Sequence, residues 1–320
     1  FSSSSPKGLS ELYKNLGMKS SMNSYNGLGA TQLVYALFGV QYFYSKYSDY
    51  EDPFMTKYEE NESYTIYKLK DALPIAYSIP EIFAKEVFVS KTTIAGSLDY
   101  QNDIFKKLTG IDDLYTSVDT IKYEKTKTVT AGQTGHYYMT VTGNAPEDLN
   151  LTKENDTFTK TFSGLNKHNH IVDLGYLKEG ESINIDAELE MTAEIVVMDY
   201  NKLSEGISKL NNNSISLSNY TDTSIEGDIN ASGGSVLFTF AYDPGWTLYV
   251  DGVKTETYQV MGALTGADVS DGTHHIFMEY KPTGFNVGLI VTLSSVALLA
   301  AIMIVKYKNK KWIYLFDMLL

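Results

Sequence analysis

The 320-residue chain carries 26 Lys+Arg against 39 Asp+Glu, a net charge of −13 at pH 7. A surface that acidic repels nucleic acid and anionic headgroups, which excludes a nucleic-acid partner, and the length suffices for two or three domains. All 26 basic residues are Lys, so the planar two-pronged grip that Arg gives on phosphate is missing; Cys is missing too, which excludes a disulfide-stapled scaffold and suits a bacterial envelope.

In chain order, residues 1–118 read as a small mixed α/β segment outside the cytoplasm. The polar opening from Phe1 to Ser5 has no signal-peptide pattern, so the chain reads as a fragment or processed product whose export signal lies upstream. Gly8–Gly17 sets Leu9, Leu12, Tyr13 and Leu16 at helical spacing before a stopping glycine, and "ATQLVYALFGVQYFYSK" reads as a helix running into a strand. The preceding "GLGATQ" starts like a dinucleotide fingerprint but lacks its third glycine and its leading strand, so it reads as the turn before that helix. The acidic, Tyr-rich stretch 47–63 reads as a loop, and the stretch carrying Tyr64, Ile66, Tyr67 and Leu69 as a strand. "LDYQNDIFKKLTG" favours a short helix that ends near Gly110.

From there strands dominate, and the fold class is mainly β. Residues 119–200 read as a β-sandwich of jelly-roll type: "HYYMTVTG" alternates, Phe158 and Phe162 share a face, and Ile183, Ile185, Ala187 and Leu189 alternate with acids and Asn. Residues 201–213, with Leu203, Ile207 and Leu210 at helical spacing, read as a linker helix. A second β unit follows over 214–284, where Val236, Phe238, Phe240 and Tyr242 point one way, Asp243-Pro244-Gly245 turns, and "WTLYV" returns. Asp251-Gly252 then separates Val250 from Val253, a two-residue hairpin in which both central positions need φ > 0.

Residues 285–305, "FNVGLIVTLSSVALLAAIMIV", hold no charge. At ~1.5 Å per residue this stretch reaches ~31 Å, the thickness of a bilayer's hydrocarbon core, and reads as a transmembrane helix. Lys306, Lys308, Lys310 and Lys311 follow at once, and such an excess of positive charge marks the cytoplasmic side. Residues 306–320 are then a cytoplasmic tail and 1–284 lie outside. Removing the tail's four Lys and one Asp leaves 22 basic against 38 acidic residues, a net charge of −16 for the rest of the chain.

Few residues carry chemistry by pattern. Trp246 and Tyr249 are the candidate sugar contacts, since an aromatic ring on a strand can stack on a pyranose; the alternation that groups Trp246 with Leu248 and Val250 favours a packing role for the indole. Pro244, Gly245, Asp251 and Gly252 make sense as turn chemistry. The five histidines show no metal-ligand spacing, and His168 and His170 read as an incidental surface pair. "DINASG", from Asp228 to Gly233, imitates half a calcium loop without its bidentate acid and reads as a turn. No cofactor and no metal are expected in this stretch of chain.

The run "SIEGDI … SVLFTFAYDPGWTLYVDGVK … DGTHHIFMEYKPTGFNVGLIV", with "YQNDIFKKLTG", "LGYLKEGESINI" and "TQLVYALFGVQYFY" upstream, closely resembles the C-terminal end of the YfhO family of bacterial multi-spanning membrane proteins. The resemblance implies a polytopic glycosyltransferase that takes a sugar from a polyprenyl-phosphate carrier outside the membrane and passes it to an envelope polymer such as teichoic acid. It implies as partners the bilayer, an upstream bundle of membrane helices, the polyprenyl-linked sugar and the glycopolymer. The family's catalytic acids belong to the early outer loops of that bundle, so the resemblance implies none here. The competing expectation is a non-enzymatic wall-binding or adhesive β-sandwich held by one C-terminal span.

Overall fold

The computed structural model describes residues 6–21, 24–25, 27–45, 52–90, 93–153 and 159–317, with side chains through residue 308 except those of 24 and 25. Strand exceeds helix, 45% against 24%, and the strands sit in several sheets, so the chain is mainly β.

The first part is a helical layer with a small sheet on it. Helix α1 (Lys7–Asn15) buries Leu9 and Leu12, the short pair β1 (Ser20–Ser21) and β2 (Ser24–Tyr25) follows, and α2 (Gln32–Leu37) is capped by Thr31. Strands β3 (Tyr42–Ser45), β4 (Met55–Glu60) and β5 (Thr65–Leu69) form a three-stranded antiparallel sheet in the order β3-β5-β4. β4 lies inside the acidic stretch that reads as a loop, because only Met55 at its start is buried and the other five residues are exposed, leaving no apolar alternation. β6 (Ala76–Pro80), the short α3 (Glu81–Ala84) and α4 (Ser97–Thr109) complete this part, and Gly110 ends α4 at φ 75°.

Next come β7 (Tyr115–Thr130), β8 (Gly135–Val141), β9 (Asp148–Lys153), β10 (Thr159–Ser163), β11 (Val172–Leu177) and β12 (Ser182–Met198). The long strands β7 and β12 pair over Ser182–Asp186 and Met191–Met198 of β12. On its other side β12 pairs with β9 at Ile183–Ala187 and with β8 at Ala193–Met198. The register shift after Asp186 is the bulge that turns one layer into the other, and the apolar core lies between. Phe162 packs at the edge of that core; Phe158 falls outside the described residues. β8, which alternates as expected, is buried at every position: Tyr137, Met139 and Val141 face the core of this sheet, while Tyr138 faces the helical layer.

Helix α5 (Tyr200–Asn211) is packed rather than free. Leu203, Ile207 and Leu210 are buried in the helical core, and Gly206 lets the Phe105 ring of α4 approach so closely that a Cβ there would sit 2.3 Å from it.

The last β unit holds β13 (Ile215–Thr221), β14 (Ser224–Ala231), β15 (Gly234–Ala241), β16 (Trp246–Val250), β17 (Val253–Thr255), β18 (Thr257–Val260), β19 (Leu264–Asp268) and β20 (Gly272–Tyr280). They form two sheets, β13-β14-β20-β16-β17 and β18-β19-β15-β6, around a core that includes Ile225, Phe238, Leu248, Ile276 and Met278. β6 comes from the N-terminal part, so the second sheet carries a sandwich core on one face and the helical core on the other: Val236 and Phe238 face the first, Leu237 and Leu264 the second. Asp228–Ala231 of the calcium-loop look-alike belong to β14.

Helix α6 (Phe285–Asp317) ends the described chain, and its segment Phe285–Lys308, of mean hydropathy 2.5, is exposed along its length. Thr292 and Ser295 donate their hydroxyls to the carbonyls of Gly288 and Val291, both at 2.8 Å, which satisfies these two polar groups within the helix. The helix carries on past the lysines at 306–311, so the tail begins as helix.

Candidate functional site

Three places gather the side chains on which chemistry depends. The first is the turn before β16. Asp243 accepts from the Gly245 amide through Oδ1 (2.7 Å), and Lys281 donates its amide to the Gly245 carbonyl (2.9 Å), which ties the turn to the last residues before α6. Gly245 is required by crowding, since a Cβ would lie 2.6 Å from the Tyr280 ring. Trp246 is half-buried at the edge of the sandwich core, with Phe240 at 5.0 Å and Tyr280 at 5.2 Å between ring centroids. Tyr249 sits two-fold out of phase, half-buried beside Phe277 at 6.0 Å. Asp251 and Gly252 take φ 51° and 77°, and the Asp251 carboxylate holds His274 Nδ1 (2.7 Å) and the His275 amide (2.8 Å).

The second is a buried ion cluster between the helical layer and the six-stranded sheet of β7–β12. His136 on β8 is 1% exposed; its Nδ1 lies 3.0 Å from Asp52 Oδ2 and its Nε2 2.6 Å from Asp173 Oδ1 on β11. A neutral imidazole has one donor and one acceptor nitrogen, so two carboxylate partners require the doubly protonated ring. Burial alone would lower the His136 pKa, but Asp173 and Asp52 overcome it and raise it to about 9. Burial likewise opposes the Asp173 charge, yet His136 and then Lys160 hold that carboxyl well below the usual carboxylate range. Asp52 is fixed further by Gln32 Nε2 (2.7 Å) and the Phe54 amide (2.8 Å), and the imidazole stacks on Tyr138 at 4.6 Å. Asp173 reaches the cluster because β11 bulges between Asp173 and Gly175, with Gly175 at φ 91°. The cluster joins three separate elements, and its imidazole is closed to solvent, which suits it to holding two bodies together.

The third is the outer face of the β3-β5-β4 sheet. Alternation sends Tyr67 and Leu69 to the core and turns Tyr42, Tyr44 and Tyr58 to solvent, 47%, 55% and 61% exposed. Tyr42 and Tyr58 meet at 5.1 Å, Tyr44 and Tyr64 also at 5.1 Å, and Lys68 Nζ stands 6.0 Å from the Tyr42 ring centre. The Tyr64 hydroxyl donates to Glu59 at 3.1 Å, so flat apolar rings are rimmed by carboxylate acceptors.

Compared with known proteins, residues 1–292 match the family model described as "Bacterial membrane protein YfhO". The chain belongs to the YfhO family of bacterial membrane proteins. No curated protein matched it. The apolar α6 agrees with a membrane protein, and membrane association is thereby shown for this YfhO-family chain.

The ion cluster of the YfhO chain has no signature in one dimension, because Asp52 and His136 are 84 positions apart. His170, read as a surface residue, is 1% exposed; its Nδ1 meets the His168 carbonyl at 3.0 Å, and burial first, then Lys19, lowers its pKa. The tyrosine face was foreshadowed by composition, 25 Tyr in all, but its membership depended on placing β4.

Proposed function

We propose that this YfhO-family chain is the outer, membrane-tethered part of a multi-spanning glycosyltransferase that moves a sugar from a polyprenyl-phosphate carrier to a teichoic-acid-like envelope glycopolymer. Its α6 crosses the bilayer with the lysines at 306–311 on the cytoplasmic side, and residues 1–284 stand outside. The observation that carries the reading is the exposed tyrosine face. Tyr42, Tyr44 and Tyr58 offer flat apolar rings with hydroxyls to a sugar chain, and Glu59 and Glu60 beside them accept from sugar hydroxyls. In this reading the sheet face meets the glycan, and Trp246 keeps a packing role. The chemistry of transfer is assigned to the membrane bundle.

Covering roughly 40 Å² of apolar sugar face per ring is worth about 1 kcal/mol, so removing three rings costs about 3 kcal/mol and weakens glycan binding by roughly a hundredfold. The test is the full-length protein in vesicles with Tyr42→Ala, Tyr44→Ala and Tyr58→Ala combined. Transfer of carrier-linked sugar should keep its rate at saturating acceptor and need more acceptor to reach it. Undiminished acceptor use in a folded variant removes the face from the mechanism. Glycan binding by a full-length wild-type protein that transfers no sugar favours the adhesive alternative.

A further inference from the structure

The two ends of the last β unit differ in kind. Tyr280 closes β20 and Phe285 opens α6, so the chain between them, Lys281 to Gly284, reaches at most ~14 Å. The Phe285 amide donates to the Pro282 carbonyl at 3.0 Å, which folds even that link into a turn. α6 is exposed from its first residue, so it leaves the body at once and does not run back along it. The polar headgroup layer of a bilayer is about 5–8 Å deep, which brings this end of the unit to its surface where α6 enters lipid. Aromatic rings stand around that exit. Trp246 pairs with Tyr280 across β16 and β20, and Tyr242 begins the turn between β15 and β16. Tyr220 lies near the tip of the β13–β14 hairpin, whose Thr223 carbonyl accepts the Tyr280 amide at 2.8 Å. Tyr220 is 60% exposed, and Tyr242 and Trp246 are half-buried. The two hydroxyls and the indole N–H have no hydrogen-bond partner among the described residues. The opposite end of the unit closes on turns at Asp251-Gly252, Ser232-Gly233 and Asp271-Gly272, which hold acids and small residues but no aromatic ring.

We propose that this end of the β unit is seated in the headgroup layer of the bilayer, with Tyr220, Tyr242 and Trp246 as its anchors. The proposal rests on α6 crossing the bilayer and adds which face of the body meets lipid. Tyrosine and tryptophan suit that layer because an apolar ring and a polar tip are satisfied there together, the ring against the upper acyl chains and the tip by ester carbonyls and water. Charge does not supply the attraction. Asp222, Asp243 and Glu279 outnumber Lys281 at this end, and Lys281 is engaged by Glu279 at 3.2 Å. The seat is therefore indifferent to anionic lipid and to salt. It also fixes the tilt of the body, which would otherwise swing on the short link that ends at Gly284, a residue at φ 85°.

The test is lipid-contact mapping of the full-length protein in phosphatidylcholine nanodiscs, using two photoreactive phosphatidylcholines that carry a diazirine at the headgroup or at the end of an acyl chain. Headgroup adducts should fall on the segments holding Tyr220 and Tyr242 to Trp246 and be missing from the turns at Asp251-Gly252 and Asp271-Gly272. Chain-end adducts should fall on α6. Tyr220→Ser with Tyr242→Ser should remove most of the headgroup adducts at Trp246, and Tyr220→Phe with Tyr242→Phe, which keeps the rings, should restore them. A body that only hangs near the membrane would keep its adducts in every variant. High salt, or phosphatidylglycerol in the nanodisc, should leave the wild-type pattern unchanged. Chain-end adducts on α6 with no headgroup adducts at Tyr220 or Trp246 overturn the seat and leave the span standing, with this end covered by other protein or held in water. A pattern that the serine pair leaves intact, or that fades with salt, overturns the rings as anchors. Chain-end adducts missing from α6 overturn the span and the seat with it.

Discussion

Replacing His136 by Gln perturbs the buried cluster at the cation that Asp52 and Asp173 share. The rise of its pKa from 6.5 to about 9 corresponds to roughly 3 kcal/mol of preference for the protonated ring in the folded state. Because the folded pKa is raised, that contribution is complete below pH ~6.5 and is lost as pH climbs through about 9. Asp173 has the opposite sense: its folded pKa is depressed, so its share is present above the ordinary carboxylate pKa near ~3.9 and disappears in acid. The two overlap between pH ~4 and ~6.5, where the cluster contributes most. His136→Gln removes the cation between Asp52 and Asp173 and leaves only Lys160, 4.0 Å from Asp173, to offset them, which should cost about 3–5 kcal/mol at pH 6. The gap to wild type should then shrink by most of that ~3 kcal/mol as pH approaches ~10. Urea unfolding in detergent, followed by near-ultraviolet circular dichroism of the buried Tyr115, Tyr137 and Tyr138, reads this part of the fold. Parallel stability profiles for wild type and variant from pH 6 to pH 9.5 would refute the imidazolium assignment.

Two other substitutions probe the packing. Gly206→Ala should destabilise by about 1–3 kcal/mol in the same unfolding experiment, because the added Cβ meets the Phe105 ring at 2.3 Å and α4 must move away from α5. Trp246→Ala, half-buried between Phe240 and Tyr280, should cost about 2 kcal/mol and leave glycan binding unchanged; a loss of binding with stability intact would return the indole to the list of sugar contacts.

Local signals on the sequence are strongest where one element decides its own conformation. The α4 stop at Gly110, the Asp251-Gly252 hairpin and the charge-free run from Phe285 each depend on a few neighbouring residues, and each is visible in the chain. Pairings between distant segments are not. β6 looks like part of the N-terminal segment because its partner, β15, lies more than 150 residues on. β8 alternates His136, Tyr138 and Thr140 with Tyr137, Met139 and Val141, and the alternation does not tell what covers its more polar face. A second body covers that face, and His136 and Tyr138 are satisfied there by Asp52 and Gln32. β4 hides because its outward side is tyrosine and its neighbours are acids, so no apolar period marks it. For the same reason the tyrosine face is a property of the assembled surface, composed of residues that are unremarked in order.

The account rests on α6 crossing the bilayer with the β-rich body outside, and the absence of cysteine from these 320 residues lets single cysteines in them measure it. Single cysteines at Ser218, exposed on β13, and at Lys310, after the apolar run, would be treated with a membrane-impermeant maleimide on intact cells. Ser218→Cys should label at once and Lys310→Cys only after the membrane is opened. Labelling of Lys310→Cys on intact cells, or protection of Ser218→Cys until lysis, would contradict the orientation and with it the proposed glycan face.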